Sequence, residues 1–176
     1  MTFRLASQGL CLAAAVSLAP VAGLRAEPTP PSNPHLGPHV RGANRAMDAL
    51  IDRGARRSGT FRRLVEQLNA SDVIVYVQET ADIPRGLDGR LTFMTSAGGV
   101  RYLHVQVMSG LGFEELIAIA GHELQHAVEV ASHPEVRDSA SLAVLYQRIG
   151  IPGQVKDRYD TAAAQSTGRR VRAEVS

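Results

Sequence analysis

The strongest chemical signal in this chain is a pair of histidines four residues apart with a glutamate beside the first: His122-Glu123-Leu124-Gln125-His126. On a helix, residues i and i+4 project from one face, a turn apart. Two imidazoles at that spacing can hold one zinc ion, and the adjacent glutamate can act as general base on a zinc-bound water. The pattern therefore points to Zn2+ as cofactor, with His122 and His126 as ligands and Glu123 as the catalytic residue. The expected chemistry is hydrolysis of an amide bond in a peptide or protein substrate.

A catalytic zinc usually has three protein ligands and one water. Glu129 lies on the histidine face, three residues after His126. Seven residues, about 10 Å of helix rise, separate it from His122, so one straight helix would have to stretch to bring all three to one ion. Glu135 and His133 follow a break in the helix. Asp160 starts a later helix, and a carboxylate from a separate element has the freedom to close the site. Asp160 ranks first as third ligand, Glu129 second, and Glu135 and His133 behind. Asp160 or Thr161 is also the expected cap of that last helix. Hydrolysis needs a donor for the developing oxyanion. Tyr102, His104, Tyr146 and Tyr159 are candidates, and the residue pattern selects none of them.

The motif must sit on a helix to work, and its surroundings fit. From Gly112 to Ser132, Phe113, Ile117, Ala120, Leu124, Val128 and Ala131 cluster on one side at 100° per residue. His122, His126, Glu115 and Glu129 fall on the other side, away from this apolar stripe. Gly121, just before the first histidine, allows close packing. His133-Pro134 ends the helix.

Upstream, apolar residues repeat at three and four from Val40 to Asn69, with Ser58-Gly59-Thr60 dividing two helices and Ser58 or Thr60 as a cap. Val73-Ile74-Val75-Tyr76-Val77, Leu91-Thr92-Phe93-Met94 and Val100 to Met108 read as strands. Ala97-Gly98-Gly99 forms a hairpin turn between the last two. Alternation from Arg101 to Val107 marks a strand with one wet face. Downstream, Ser139 to Ile149 is helical, with Gly150 as its stop, and Ile151 to Arg158 is a loop. The last helix runs to about Val175. The expected fold class is α+β: N-terminal helices, a three-stranded, mainly antiparallel sheet, the motif helix, and C-terminal helices.

Arg4, the apolar stretch Gly9 to Gly23 and the small residue Ala26 read as a secretory signal peptide over residues 1–26, so the protein is expected to be exported to the periplasm or outside the cell. An uncleaved anchor is the alternative. Residues 27–39 form a Pro-rich linker, with His35 and His39 read as surface histidines, and residues 40–176 form a single domain. Cys11 lies in the leader, so the mature chain has no thiolate and its metal ligands must be nitrogen and oxygen. Removing Arg4 and Arg25 from nineteen basic residues leaves seventeen against seventeen acidic ones. That balance gives no argument for a nucleic-acid partner, and no stable membrane association is expected after signal cleavage.

The run His122-Glu123-Leu124-Gln125-His126-Ala127-Val128 resembles the active-site helix of zincin metallopeptidases, and is similar to the thermolysin-like, or gluzincin, branch. The resemblance covers about residues 72–135, and its specific part is the five-residue motif. It implies a zincin-like fold, zinc on the two histidines, Glu123 as base, and a third ligand from a downstream helix. It also implies an edge strand before the motif helix that pairs with the substrate, a place Val100 to Val107 would take. The gluzincin N-E-x-x-S-D pattern is absent downstream, and the metzincin spacing fails because Glu129 stands where a glycine is needed. Two other readings stay open: a catalytically inactive zincin-like module that binds metal or protein, and an α+β domain carrying the string by accident.

Overall fold

The computed structural model describes residues 37–152 and 159–176. The expected signal peptide (1–26), His35, most of the Pro-rich linker and most of the 151–158 loop lie outside the described residues. Within them the elements run β1 (Val40–Gly42), α1 (Arg45–Arg57), α2 (Gly59–Asn69), β2 (Val73–Thr80), β3 (Gly89–Ala97), β4 (Val100–Met108), α3 (Phe113–Ala131), α4 (Ser139–Ile149), β5 (Ile151–Pro152), β6 (Tyr159–Asp160) and α5 (Ala162–Val175). No helix among them is long and apolar enough to cross a membrane.

The α+β class holds. The sheet differs from the expectation. It has four strands in the order β1-β2-β4-β3, with β1 parallel to β2, β2 parallel to β4, and only β3 antiparallel to β4. It is therefore a mixed sheet, and not a three-stranded, mainly antiparallel one. The physical reason is that the chain leaves β2, passes beyond the site of β4 to lay down β3 at the edge, and returns through the Gly98-Gly99 turn. Both glycines have positive φ, +59° and +81°, as a tight hairpin turn requires. This order also moves the edge. Val100 to Val107 lies inside the sheet between β2 and β3, so the edge strand next to the motif helix is β3.

Val73, Val75 and Val77 of β2 and Leu103, Val105 and Val107 of β4 are fully buried and join α1, α2 and α3 in one core with Met47, Ile51, Phe61, Leu68 and Leu124. Ser58 caps α2, its Oγ accepting from Phe61 N at 2.9 Å. His39 is buried, contrary to its reading as a surface histidine. Its backbone N donates to Asn69 Oδ1 at 2.8 Å, its ring Nδ1 lies 3.0 Å from Leu68 O, and its carbonyl accepts from Val75 N.

Helix α3 crosses this core, and its C-terminal end is held by a side chain from the sheet. Arg101 is on the apolar face of β4 and fully buried. It donates to both carboxylate oxygens of Asp72, at 2.9 and 2.5 Å, and its Nη1 donates to the carbonyls of Val130 and His133, both at 2.8 Å. The last carbonyls of a helix have no partner within it, and a guanidinium supplies them with donors and with favourable charge.

At its other polar stretch, α3 is packed closely by α5. A Cβ on Gly121 would lie 2.9 Å from Val171 Cγ2, and one on Gly168 would lie 3.2 Å from His122 Cβ. Both positions need glycine for the two helices to approach this closely. The packing brings the N-terminal end of α5, and Asp160 just before it, over the motif.

Candidate metal centre

Helix α3 is buried on more than its apolar stripe. Leu116, Ala118, Ala127 and Val130 are buried, and so are the polar residues Glu123 and His126, each 6% exposed. The expectation that the histidine side is set apart from the core is corrected accordingly: α5 covers it and Tyr146 of α4 packs on it. Periodicity within α3 cannot show a covering helix that arrives from later in the chain.

The donor atoms of His122, His126 and Asp160 lie within 4.8 Å of one another and form a group that could hold a metal ion. Asp160 Oδ1 is 3.2 Å from His122 Nε2 and 3.5 Å from His126 Nε2. Asp160 is free for this because Thr161 is the cap of α5, its Oγ1 accepting from Ala164 N at 3.1 Å. Asp160 is steadied from behind: Thr161 N donates to its Oδ1 at 2.7 Å and Gln165 Nε2 to its Oδ2 at 3.0 Å.

Glu129 does not join the cluster. It lies on the far side of His126, with Oε2 2.9 Å from Nδ1, so Nε2 is left to face Asp160. Tyr146 OH donates to Glu129 Oε2 at 3.3 Å and Thr161 Oγ1 donates to its Oε1 at 2.6 Å. The second-ranked candidate is therefore a neighbour of a candidate ligand. The reason is its three-residue spacing from His126, which brings its carboxylate to Nδ1 of that ring. His133 and Glu135 are also outside the cluster. They pair with each other at 3.1 Å, and Glu135 with Arg148 at 3.1 Å, on the surface.

Among the four candidate oxyanion donors, Tyr102 and His104 alternate with the buried Leu103 and Val105 and lie on the opposite face of the sheet, where His104 Nε2 is 2.9 Å from Gln78 Oε1. Tyr146 packs edge-on against His126 and spends its hydroxyl on Glu129 and the His126 carbonyl. Tyr159 lines the cleft beside Asp160.

The electrostatics follow from packing charges under cover. Burial pushes Glu123 up to about 7, with the charge of Asp160 adding and that of His126 opposing. Burial works to lower His126, but hydrogen bonds to Asp160 and Glu129 and the charges of Glu123 and Glu129 outweigh it and raise the ring to about 9. His122 is lowered, first by burial and then by the charge of His126. Burial opposes ionisation of Asp160, but its hydrogen bonds to His126 and Gln165 and the charge of His122 bring it down to about 2. Tyr146 is raised by burial and the nearby carboxylates.

The cluster sits in a cleft of about 1090 Å³. The floor is α3, with Ile119, His122, Glu123 and His126. Gly86 to Leu91, at the start of β3, form one side, and α5 with Gln165, Arg169 and Arg172 forms another. Leu142 and Ala143 of α4 close one end. Gly89 has no room for a side chain: a Cβ there would lie 2.8 Å from Glu123 Oε1 and 2.6 Å from Ile119 Cγ2. The backbone of the edge strand thus passes directly against the candidate base.

No family model, no curated protein and no solved structure matches this chain.

Proposed function

We propose that this chain is a zinc-dependent metallohydrolase of the zincin kind, cleaving amide bonds in a peptide or protein substrate with Glu123 as general base. The observation that carries this reading is the convergence of His122, His126 and Asp160 beside a buried Glu123 on the floor of a wide cleft. Zinc takes imidazole nitrogen and carboxylate oxygen at about 2.0–2.2 Å, so two ligand atoms of a tetrahedral site lie about 3.3–3.6 Å apart. The separations of 3.2 and 3.5 Å from Asp160 to the two histidine nitrogens fit that edge length. Two imidazoles and one carboxylate, with no thiolate, are also the donor set of a catalytic site that keeps a position open.

Zinc held there would supply a water of pKa near ~7 and polarise a carbonyl. Glu123 is placed to move the proton. In the metal-free protein burial holds its carboxyl up at about 7, and beside a bound zinc it would accept the water's proton and return it to a leaving amine. The edge strand β3 borders the cleft, and its backbone offers an extended peptide a partner of the β-augmentation kind. Tyr159, lining the cleft next to Asp160, is the phenol best placed among the four candidates to donate to an oxyanion. The N-terminal pattern over residues 1–26 supports an exported enzyme.

The test is hydrolysis of a denatured protein by the zinc-loaded full chain and by its Glu123→Gln variant. The parent should cleave. The variant should hold about one zinc per chain and lose turnover. Equal cleavage by both would overturn the assignment of Glu123. A parent that holds zinc and cleaves nothing would make the chain a zincin-like metal-binding module instead.

A further inference from the structure

We infer that Glu129 is a positioning residue that sets two of the three metal ligands at once. This inference rests on the zinc reading above. Its carboxylate meets three groups, each from a different helix or helix start. Oε2 lies 2.9 Å from Nδ1 of His126, on its own helix α3. The same oxygen lies 3.3 Å from Tyr146 OH of α4, whose one proton it shares with the His126 carbonyl at 3.1 Å. Oε1 accepts from Oγ1 of Thr161, the cap of α5, at 2.6 Å.

Two consequences follow. First, a carboxylate on Nδ1 keeps the proton on that nitrogen when a metal displaces the one on Nε2, so the Nε2 lone pair, at the atom that faces Asp160, is left for the metal. A metal-ligating histidine needs its other nitrogen held in this way for both tautomer and ring orientation. Second, Thr161 is bonded by peptide to Asp160 and its backbone N donates to Asp160 Oδ1. Holding the Thr161 side chain therefore holds the backbone that presents the third ligand. His126 comes from the middle of α3 and Asp160 from the two-residue strand β6, and Glu129 is the group in contact with both sides. Glu129 is only 13% exposed in its side chain, so these bonds form with little competition from water.

The experiment measures zinc affinity of the full chain by competition with a chromophoric chelator, and the proton resonance of the His126 Nδ1–H in the zinc-loaded, 15N-histidine-labelled protein. Glu129→Gln should weaken zinc binding by about 10–100-fold and move that resonance upfield, as expected when a charged acceptor is replaced by a neutral one. Thr161→Asp, which keeps a good cap on α5 but sets a carboxylate against Glu129, should weaken zinc binding, and Thr161→Ser, which keeps both bonds, should not. Tyr146→Phe, which removes one donor and leaves both ligands held, should have the smallest effect. Parent-like zinc affinity and an unmoved resonance in Glu129→Gln would overturn the inference. So would equal affinities in Thr161→Asp and Thr161→Ser. If Glu129→Gln fails to fold, the Thr161 pair and Tyr146→Phe decide. A parent that binds no zinc would instead remove the functional reading on which the inference stands.

Discussion

Helix α3 carries two buried polar clusters, one at its C-terminal end around Arg101 and one at its middle around His122, Glu123 and His126. They differ in how their groups are matched. Arg101 has no exposed surface, and its donors go to the Asp72 carboxylate and to helix carbonyls that need partners. Each charge or dipole faces its complement. The second cluster mixes complementary and like neighbours: Asp160 and Glu129 pair with His126, while the two histidine rings face each other. Two imidazoles are in edge contact at 5.0 Å, the charge of one depresses the other, and Glu123 is buried beside Asp160 with its carboxyl pushed up to about 7. The first arrangement holds a helix end in place. The second leaves Glu123 pushed up and His122 pushed down by burial, and its His122, His126 and Asp160 donor atoms face one another on a cleft, where a cation could sit among them.

Mutation separates the two clusters. The largest effect belongs to the converging cluster. Glu123→Gln should lower hydrolysis by a factor on the order of 10²–10⁴, the usual worth of a general base, with zinc retained. The same change should stabilise the metal-free protein. A carboxyl raised from 4.5 to about 7 on folding is protonated in both states at low pH and opposes folding once pH rises above the unfolded value. The opposition grows between about 4.5 and 7 and levels off above, so the gain from Glu123→Gln should appear across that window. Its upper bound is about 3 kcal/mol. Thermal melts of both proteins at pH 4 and pH 8 would show it, and a gain that is equal at the two pH values would count against the burial argument.

The matched cluster should respond in the opposite sense. Arg101→Met should cost about 3 kcal/mol or more, because Asp72 and the end of α3 lose their partner. Urea titration would measure this, and the loss should be the same with and without zinc in its direct contribution, since no metal ligand touches Arg101. A substitution that leaves stability unchanged would show that the helix end does not depend on it.

Gly121→Ala should come next, at about 1–3 kcal/mol, because its Cβ would press on Val171 and push α5 away from α3. Since α5 follows Asp160, zinc affinity should fall together with stability, which separates this change from Arg101→Met. The smallest effect belongs to the exposed Glu174 at the far end of α5, over the start of α2. Glu174 accepts from Ser58 Oγ, Thr60 N and Thr60 Oγ1, and these bonds bring it to about 2 despite its slight burial. Its contribution is fully present above its unfolded value of 4.5 and is lost as pH falls towards 2. Glu174→Gln should therefore lower the melting temperature at pH 6 by a small amount and leave it near that of the parent at pH 2.

Much of the site could be read from the chain because the chemistry is local. The spacing of His122, Glu123 and His126 belongs to one helix, and Asp160 stood out as an acid at the start of a later one. What could not be read depended on elements distant in sequence. Thr161 and Asp160 were equal candidates for the cap of α5, and only the packing of α5 on α3 assigns one to the helix and the other to the cluster. Glu129 looked like a possible ligand because it shares the histidine face, but a carboxylate one turn beyond His126 meets its Nδ1. Arg101 alternates with apolar residues in β4 in phase with Leu103 and Val105, a position that periodicity marks as inside and composition marks as outside. The burial won because Asp72 and the carbonyls of α3 match its charge and donors. The parallel pairing of β2 with β4 and the three-residue β1 were out of reach, since strand order is set by the return of the chain through β3 and not by any residue pattern.

The most direct test of the central claim is the zinc content of the purified full chain, measured by elemental mass spectrometry after equilibration with zinc and gel filtration, beside His126→Ala and Asp160→Asn. The parent should hold about one zinc per chain, His126→Ala should retain none and Asp160→Asn should carry strongly reduced content. A parent that emerges free of zinc, or variants that carry as much as the parent, would contradict it.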